Sequence, residues 1–343
     1  MNQPLRIAII GAGVIGAVHA RLISGLGDRA TLAAVVDIDP TRAKTLADRY
    51  GVPAYASAAE AYTAQRLDLA SVCVPSAYHS PVAVEALEAG LNVIIEKPVD
   101  VTLDAADRII AAEKKSGRTV SVISQRRFQP VASYIHEAIA RGELGRVTSG
   151  TVESAFFRSQ AYYDSGDWRG TIAIDGGGAL MNQGIHALDL LIWMLGTPVS
   201  VVAHTRCLAH QNIEVEDVAG ALISFESGAV GVLLASTAAY PGLPVRLAVH
   251  GAGGTAVMEN DRLAYFSSTT ATAPEAATLT ERDVPEGWSE VDMAHQRQYR
   301  DVLEAITQGR RPGVTTAEGR RALQTVLAVY ESARTGQPVA LSN

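Results

Sequence analysis

From Leu5 to about Phe128 the chain alternates short, continuously apolar runs with segments of helical spacing, and few folds can accept that pattern. LRIAIIG, ATLAAVVD, LASVCVP, LNVIIEKP and the run starting TVSVIS are predominantly apolar, as strands covered on both faces should be. Between them lie GVIGAVHARLISGL, PTRAKTLADRYG, SPVAVEALEAG and LDAADRIIAAEKKSG. The second of these opens on Pro and closes on Gly, the usual asymmetry of a helix. Five or six such strands separated by helices of roughly ten to fifteen residues describe a doubly wound parallel sheet, an α/β fold.

GAGVIG falls between the first strand and the first helix. Gly11, Gly13 and Gly16, with Val14 and Ile15 between the last two, give G-x-G-x-x-G. The spacing alone is common. In a strand-turn-helix it permits a tight turn, close approach of backbone to a pyrophosphate and tight helix packing. Asp37 ends the second strand 21 positions after Gly16, where a carboxylate accepts hydrogen bonds from an adenine ribose and repels a 2'-phosphate. NAD is therefore expected over NADP, with Arg42 close enough in sequence to leave dual use open.

Ligands of such sheets lie beyond the carboxyl ends of the strands. The strand ending in VPSAYH offers Pro75 and His79, and LNVII is followed at once by Glu96 and Lys97. Pro98 stiffens the chain just after the lysine. Far along the chain, three glycines precede ALMNQGIHALDLL, in which Asn182 and His186 stand four apart and share a helical face. An imidazole suits general-base work on an alcohol, and a cationic Lys97 stabilises the developing alkoxide. Asp189 is open to two readings, a brace for its helix or a proton acceptor. In DWRG, Trp168 can stack on a sugar face or the nicotinamide and Arg169 can bind hydroxyls or phosphate, or Trp168 can simply anchor the loop. Arg127, Arg158 and Tyr163 are weaker substrate candidates; Asp217 is a turn residue or a rim contact, and His19 is read as structural.

At 343 residues the chain exceeds the size at which one hydrophobic core stops growing, so two domains are expected. RVTSGTVESAFF, SVVAHTRCLAH, DVAGALISFESG and AVGVLLAST read as strands, with PVRLAVHG and TAVMEN as shorter ones and ESGA as a hairpin turn. AHQRQYRDVLEAITQG and TAEGRRALQTVLAVYESARTG read as closing helices. The Ala/Thr-rich TTATAPEAATLT is expected as a surface loop. The change of domain is placed near SQRRFQP, giving residues 1–126 and 127–343, with a helix starting at Pro130. A net charge of -7 and short basic clusters argue against nucleic acid. Two cysteines supply neither a disulfide framework nor a thiolate metal site, and His204, His210, His250 and His295 lack ligand spacing, so no metal is expected. No segment reaches the roughly 18 apolar residues of a membrane span, and MNQPLRIAIIGAG carries no cationic leader, so a cytoplasmic location is expected.

GAGVIGAVHA, Asp37, VPSAYH, EKP and GGGALMNQGIHALDLL, in this order, resemble the Gfo/Idh/MocA family, named for glucose-fructose oxidoreductase and inositol dehydrogenase. The resemblance covers nearly the whole chain, and EKP with G-x-H-x-x-D is its specific part. It implies an N-terminal Rossmann domain and a second α/β domain built on a large open, mostly antiparallel sheet. That second domain carries a sugar or cyclitol and commonly mediates dimers or tetramers. It implies roles at the reacting oxygen for Lys97 and His186, and many relatives have Asp where this chain has Asn182, so the division of proton transfer among Lys97, His186 and Asp189 stays open. Other readings are a cofactor-binding regulator without turnover, against which Lys97 and His186 argue, and an NADPH-dependent dihydrodiol or imine reductase, against which Asp37 argues.

Overall fold

The computed structural model describes residues 3–275, 279 and 284–341, which form two compact units. The first comprises Met1–Gln125 and Asp292–Arg320, the second Arg126–Val291 and Arg321–Asn343. The first change of unit, after Gln125, lies within SQRRFQP, and the segment 292–320 returns to the first unit, which a linear division into 1–126 and 127–343 does not describe. TTATAPEAATLT lies partly outside the described residues.

The first unit holds a six-stranded parallel sheet in the order β3-β2-β1-β4-β5-β6. Its strands are β1 (Leu5–Ile10), β2 (Ala30–Val36), β3 (Ala54–Tyr55), β4 (Leu69–Val72), β5 (Asn92–Ile95) and β6 (Val120–Val122). This is the doubly wound order whose reversal between β1 and β4 opens a crevice at the carboxyl ends. Helices α1 (Val14–Ser24), α2 (Pro40–Tyr50), α3 (Ala58–Ala64), α4 (His79–Glu88) and α5 (Leu103–Ser116) make the connections. β4 and β5 are buried at every position, which explains why they are apolar apart from Ser71 and Asn92. Asp39 caps α2 by accepting from the Thr41 and Arg42 N–H groups, and Gly51 ends it at φ 65°.

The returning segment has a local reason. Gln298 donates to the Val122 carbonyl at 2.8 Å and accepts from the Ser124 N–H at 3.0 Å, while Ser121 donates to the Val314 carbonyl at 2.8 Å. β6 is the outer strand, and the segment supplies partners for polar groups at its end that would otherwise be buried unpaired.

The second unit is built on an eight-stranded mixed sheet in the order β13-β12-β11-β7-β10-β9-β8-β14, and its pairs are antiparallel except β7 with β10. The strands are β7 (Val147–Ala155), β8 (Pro198–Arg206), β9 (Val218–Phe225), β10 (Val230–Ser236), β11 (Arg246–Gly251), β12 (Gly254–Glu259), β13 (Arg262–Ser268) and β14 (Val339–Ala340). Helices α6 (Pro130–Ala140), α7 (Gln160–Asp164) and α8 (Ile185–Leu195) belong to it. α8 lies against one face: Cβ atoms on Gly150 and Gly231 would stand 3.0 and 3.1 Å from Leu191 methyl carbons. α6 meets α8 through His136 stacked on Trp193 at 3.9 Å. Helices α9 (Glu290–Gln308) and α10 (Thr316–Thr335) close the chain. Among the described residues no helix is long and apolar enough to cross a membrane.

Candidate active site

The glycine turn is built as its spacing requires. Gly11 has φ 104°, and a Cβ there would lie 2.7 Å from the Cys73 carbonyl; one on Gly16 would lie 1.9 Å from the Gly11 carbonyl oxygen. A Cβ on Gly13 would meet nothing within 4 Å, so this glycine faces open space at the start of α1. No side chain caps that end, and no acidic residue sits in the first turn, so its N–H groups favour an anion. The Asp37 carboxylate accepts from the Ala12 N–H at 2.7 Å and the Asp39 N–H at 2.8 Å, which fixes it beside the turn. Val14 and Ile38 beside it are 83% and 94% exposed, which leaves two apolar side chains open beside the turn. Ile15 is half-buried. Arg42 pairs with Asp39 at 3.2 Å. A glycine pocket, an uncapped helix end, a carboxylate and two exposed apolar side chains fit a dinucleotide.

Other strand ends correct the expectations. Pro75 precedes a single 3₁₀ turn, Ser76–Tyr78, as a chain-turning proline should. His79, expected at the cofactor, is instead 1% exposed, with Nδ1 at 2.7 Å from the Pro98 carbonyl oxygen and Nε2 at 3.0 Å from that of Val74. Burial holds its pKa below the usual value. Glu96 likewise is 6% exposed and turns inward: Oε1 lies 2.8 Å from His19 Nε2, and Oε2 accepts the Lys97 N–H at 3.0 Å. Burial alone would raise its carboxyl, but the His19 hydrogen bond and the fields of His19, Lys97 and His295 outweigh burial and hold it well below the carboxylate range. Lys97 is half-buried at the end of β5. His19 is fully buried, in agreement with a structural reading. Ligand atoms of His19, Glu96 and His295 lie within 4.8 Å of one another, a grouping in which the expectation of no metal had weighed His295 alone.

In the second unit, Asn182 sits on a π-helical turn, Ala179–Gly184, that leads into α8, and His186 opens α8. A regular α-helical turn was expected; π turns of this kind often mark functional sites. The turn is clamped by buried polar groups. Glu216 accepts from the Gly178 and Leu180 N–H groups at 2.9 and 2.8 Å, and the Tyr330 hydroxyl donates to it at 3.1 Å. Burial raises the Glu216 carboxyl. The glycine run is needed here: Cβ atoms on Gly177 and Gly178 would lie 2.2 Å from the Tyr330 hydroxyl and 1.8 Å from the Glu216 carbonyl oxygen. Asn182 Nδ2 donates to the buried Asp175 carboxylate at 2.7 Å, whose other oxygen accepts the Gly170 N–H at 2.9 Å. Asp175 thus ties the DWRG loop to Asn182, and sequence inspection missed it, as it missed Glu216 and Tyr330. Asp175 stands immediately before the glycine run, a local hint; Tyr330 is 149 positions from the Met181 N–H it accepts, and nothing local announces it.

The remaining substrate candidates divide. Arg127, read as a substrate candidate, and Asp189, read as a brace or a proton acceptor, form a bidentate pair at 2.6 and 2.8 Å with side chains 4% and 7% exposed; each satisfies the other. Tyr163 is 6% exposed, hydrogen-bonded to Thr237 at 2.9 Å, and burial pushes its hydroxyl up to about 12, so it belongs to the packing of its loop. Arg158 donates to Gln183 at 3.2 Å on the π turn. The Arg169 guanidinium lies between Trp168 and Tyr162, 4.5 and 4.3 Å from their ring centres, and remains half-buried. Asp217, fully buried, accepts from the N–H groups of Leu208, Ala209 and His210, which identifies it as the organiser of that turn.

Comparison with known proteins gives a consistent picture. Residues 5–124 match the "Oxidoreductase family, NAD-binding Rossmann fold" model and residues 136–341 the "Oxidoreductase family, C-terminal alpha/beta domain" model, the two domains of Gfo/Idh/MocA proteins. An uncharacterized oxidoreductase, YrbE, of Bacillus subtilis is 28% identical over 100% of this chain and 98% of its own. The scyllo-inositol 2-dehydrogenase (NAD(+)) of the same organism is 26% identical over 99% and 97%. Among solved structures, the WlbA dehydrogenase from Bordetella pertussis, in complex with NADH and UDP-GlcNAcA, is 28% identical with a TM-score of 0.89, covering 99% of this chain and 100% of that one.

Proposed function

Since the chain belongs to the Gfo/Idh/MocA oxidoreductase family, we propose that it is an NAD-dependent enzyme that interconverts a secondary alcohol and a ketone on a sugar, glycoside, nucleotide sugar or cyclitol. The observation that carries the reading is the dinucleotide turn, with Gly13 open and Asp37 fixed beside it, at the same carboxyl ends of the sheet that present Lys97. Relatives named as inositol 2-dehydrogenase and D-glucoside 3-dehydrogenase, and the solved complex with a nucleotide sugar, support this substrate class.

A bound nicotinamide dinucleotide supplies the hydride acceptor or donor. Gly11, Gly13 and Gly16 admit its pyrophosphate to the start of α1, and Asp37 accepts from its ribose and disfavours a 2'-phosphate. Lys97 donates a hydrogen bond to the substrate oxygen and stabilises negative charge as it develops. His186 takes the hydroxyl proton in oxidation and returns it in reduction. Asn182, oriented by Asp175, fixes a substrate hydroxyl, and Arg169 with Trp168 meets the sugar. The exposed face of the second sheet pairs with a second copy of the chain.

The test is absorbance at the reduced-nicotinamide band, with NAD and then NADP, against inositols, hexoses, glycosides and nucleotide sugars. Expected are turnover of at least one compound with NAD, a lower kcat/KM with NADP, and loss of kcat by about a hundredfold or more in Lys97→Ala and His186→Ala. Tight NAD binding with no turnover across the panel would overturn it in favour of a cofactor-binding regulator.

A further inference from the structure

Beneath Lys97 lies a buried polar cluster that the reaction as described does not use. His19, Ser71 and Tyr299 are 0% exposed, and Glu96 and His295 are 6% exposed. The Ser71 hydroxyl lies 2.7 Å from that of Tyr299, the Tyr299 hydroxyl 2.6 Å from His19 Nδ1, and His19 Nε2 2.8 Å from Glu96 Oε1. Cys73 Sγ is 3.5 Å from Ser71, and His295 sets its ring edge to face with His19 at 5.8 Å. We propose that Tyr299, His19 and Glu96 are positioning residues for Lys97, linked in a hydrogen-bonded chain that ends on the lysine's own backbone.

The direction of the chain follows from its end. A carboxylate only accepts, so His19 donates to it from Nε2, and in the Nε2–H tautomer Nδ1 accepts from the Tyr299 hydroxyl. Burial drives the Tyr299 phenol well above its usual value, so it keeps that proton to donate, and Ser71 donates to its oxygen in turn. Every bond then points one way, toward Glu96. The second carboxylate oxygen is occupied by the Lys97 N–H, so the carboxylate cannot turn without releasing the lysine backbone. One residue further on, the Pro98 carbonyl is held by His79. EKP is therefore pinned at its carboxylate, its lysine amide and its proline carbonyl.

Stability alone does not account for such a cluster. A buried carboxylate with its hydrogen-bonding partners is often no more stabilising than well-packed apolar residues of the same volume. What it supplies is a fixed negative charge and a fixed backbone next to the half-buried Lys97. Tyr299 and His295 come from the segment 292–320, so the part of the chain that returns to the first unit also builds the support for EKP.

The inference rests on the assigned role of Lys97, so its test carries one readout that needs no turnover. Glu96→Gln, His19→Leu, His19→Gln, Tyr299→Phe and Lys97→Ala are compared in the full chain by thermal unfolding, NADH fluorescence titration, steady-state kinetics on a substrate from the panel, and reductive methylation of Lys97 at neutral pH read by mass spectrometry. Glu96→Gln is expected to lower kcat at least thirtyfold while Kd for NADH stays within threefold. Lys97 methylation is expected to rise at least threefold in that variant, because loss of the adjacent anion favours the uncharged amine. His19→Leu should follow Glu96→Gln. His19→Gln, whose amide N–H reaches the same oxygen, should recover at least fivefold in kcat over the Leu variant, which a role in packing alone would not give. Tyr299→Phe removes a single hydroxyl and keeps the test intact if the Glu96 variant does not fold; a three- to tenfold fall in kcat is expected. A folded Glu96→Gln protein with kcat within threefold of wild type and unchanged Lys97 methylation overturns the proposal. Unchanged kcat in Lys97→Ala, with methylation still raised in Glu96→Gln, would instead overturn the role given to Lys97 and leave the positioning relay standing.

Discussion

Arg127 and Asp189 show how one residue's surroundings decide its role. In a sequence Arg127 looks like a substrate group and Asp189 like a brace or a proton acceptor; in the fold they meet across 62 positions and bury each other. Removing one partner of such a pair leaves an uncompensated charge in a dry site, which costs about 3–5 kcal/mol. Asp189→Ala should therefore lower the urea midpoint of the second unit by a comparable loss of stability, and Arg127→Met with Asp189→Leu should restore most of it. If the single variant unfolds at the wild-type midpoint, the pair is not structural and Asp189 returns as a candidate proton acceptor. The same blindness explains His79 and Glu96: their chemistry and strand-end positions were legible, whereas the backbone carbonyls of Pro98 and Val74 and the ring of His19, which turn them inward, were not.

At the scale of elements, the turn between β1 and α1 separates what glycine does for folding from what it does for a ligand. Gly16→Ala drives a methyl against the Gly11 carbonyl oxygen, with only 1.9 Å between them, so backbone must shift and about 1–3 kcal/mol of stability should be lost. Gly13→Ala meets no atom of the described residues within 4 Å and starts from φ -74°, which alanine adopts readily. Its melting temperature should stay within about 2 °C of wild type, a change of roughly half a kcal/mol or less, while its NADH affinity falls at least tenfold because the methyl occupies the approach of the pyrophosphate. Equal NADH affinity would place the dinucleotide elsewhere. Elements as a class were readable where burial is uniform, as in β4 and β5, or alternating, as in β9. The two-residue strands β3 and β14 are too short to carry a period, and the largely exposed β13 has no apolar face to mark it. The π turn at Ala179–Gly184 escaped notice because apolar spacing runs straight through it; Glu216 and Tyr330, distant in sequence, create it.

Over the whole molecule, the parallel first sheet could be anticipated from the alternation of strand and helix, and the mostly antiparallel second sheet from the family resemblance, whereas the order of the strands could not. The return of residues 292–320 could not, since Gln298 and Tyr299 look like any residues of an amphipathic helix until their partners on β4 and after β6 are known. The second sheet also presents an argument about assembly. Val202, Leu222 and Val232 stand in register on β8, β9 and β10, 43%, 49% and 46% exposed, with Val230 and Leu234 at 41% beside them on β10. The face opposite α8 therefore offers a contiguous apolar row on central strands, where alternation would put polar residues if water were the permanent neighbour. A flat row of this kind is matched by its own copy about a two-fold axis, which closes the assembly without leaving the patch exposed. Light scattering coupled to gel filtration, at tens of micromolar protein, should give a dimer or tetramer for the wild type. Val232→Asp combined with Leu222→Asp should move the mass to that of one chain while the far-UV spectrum is kept, because neither side chain contributes to the face packed on α8. A wild-type protein that elutes as a single chain would refute pairing through this face. An unchanged oligomer in the double variant would assign assembly to another surface.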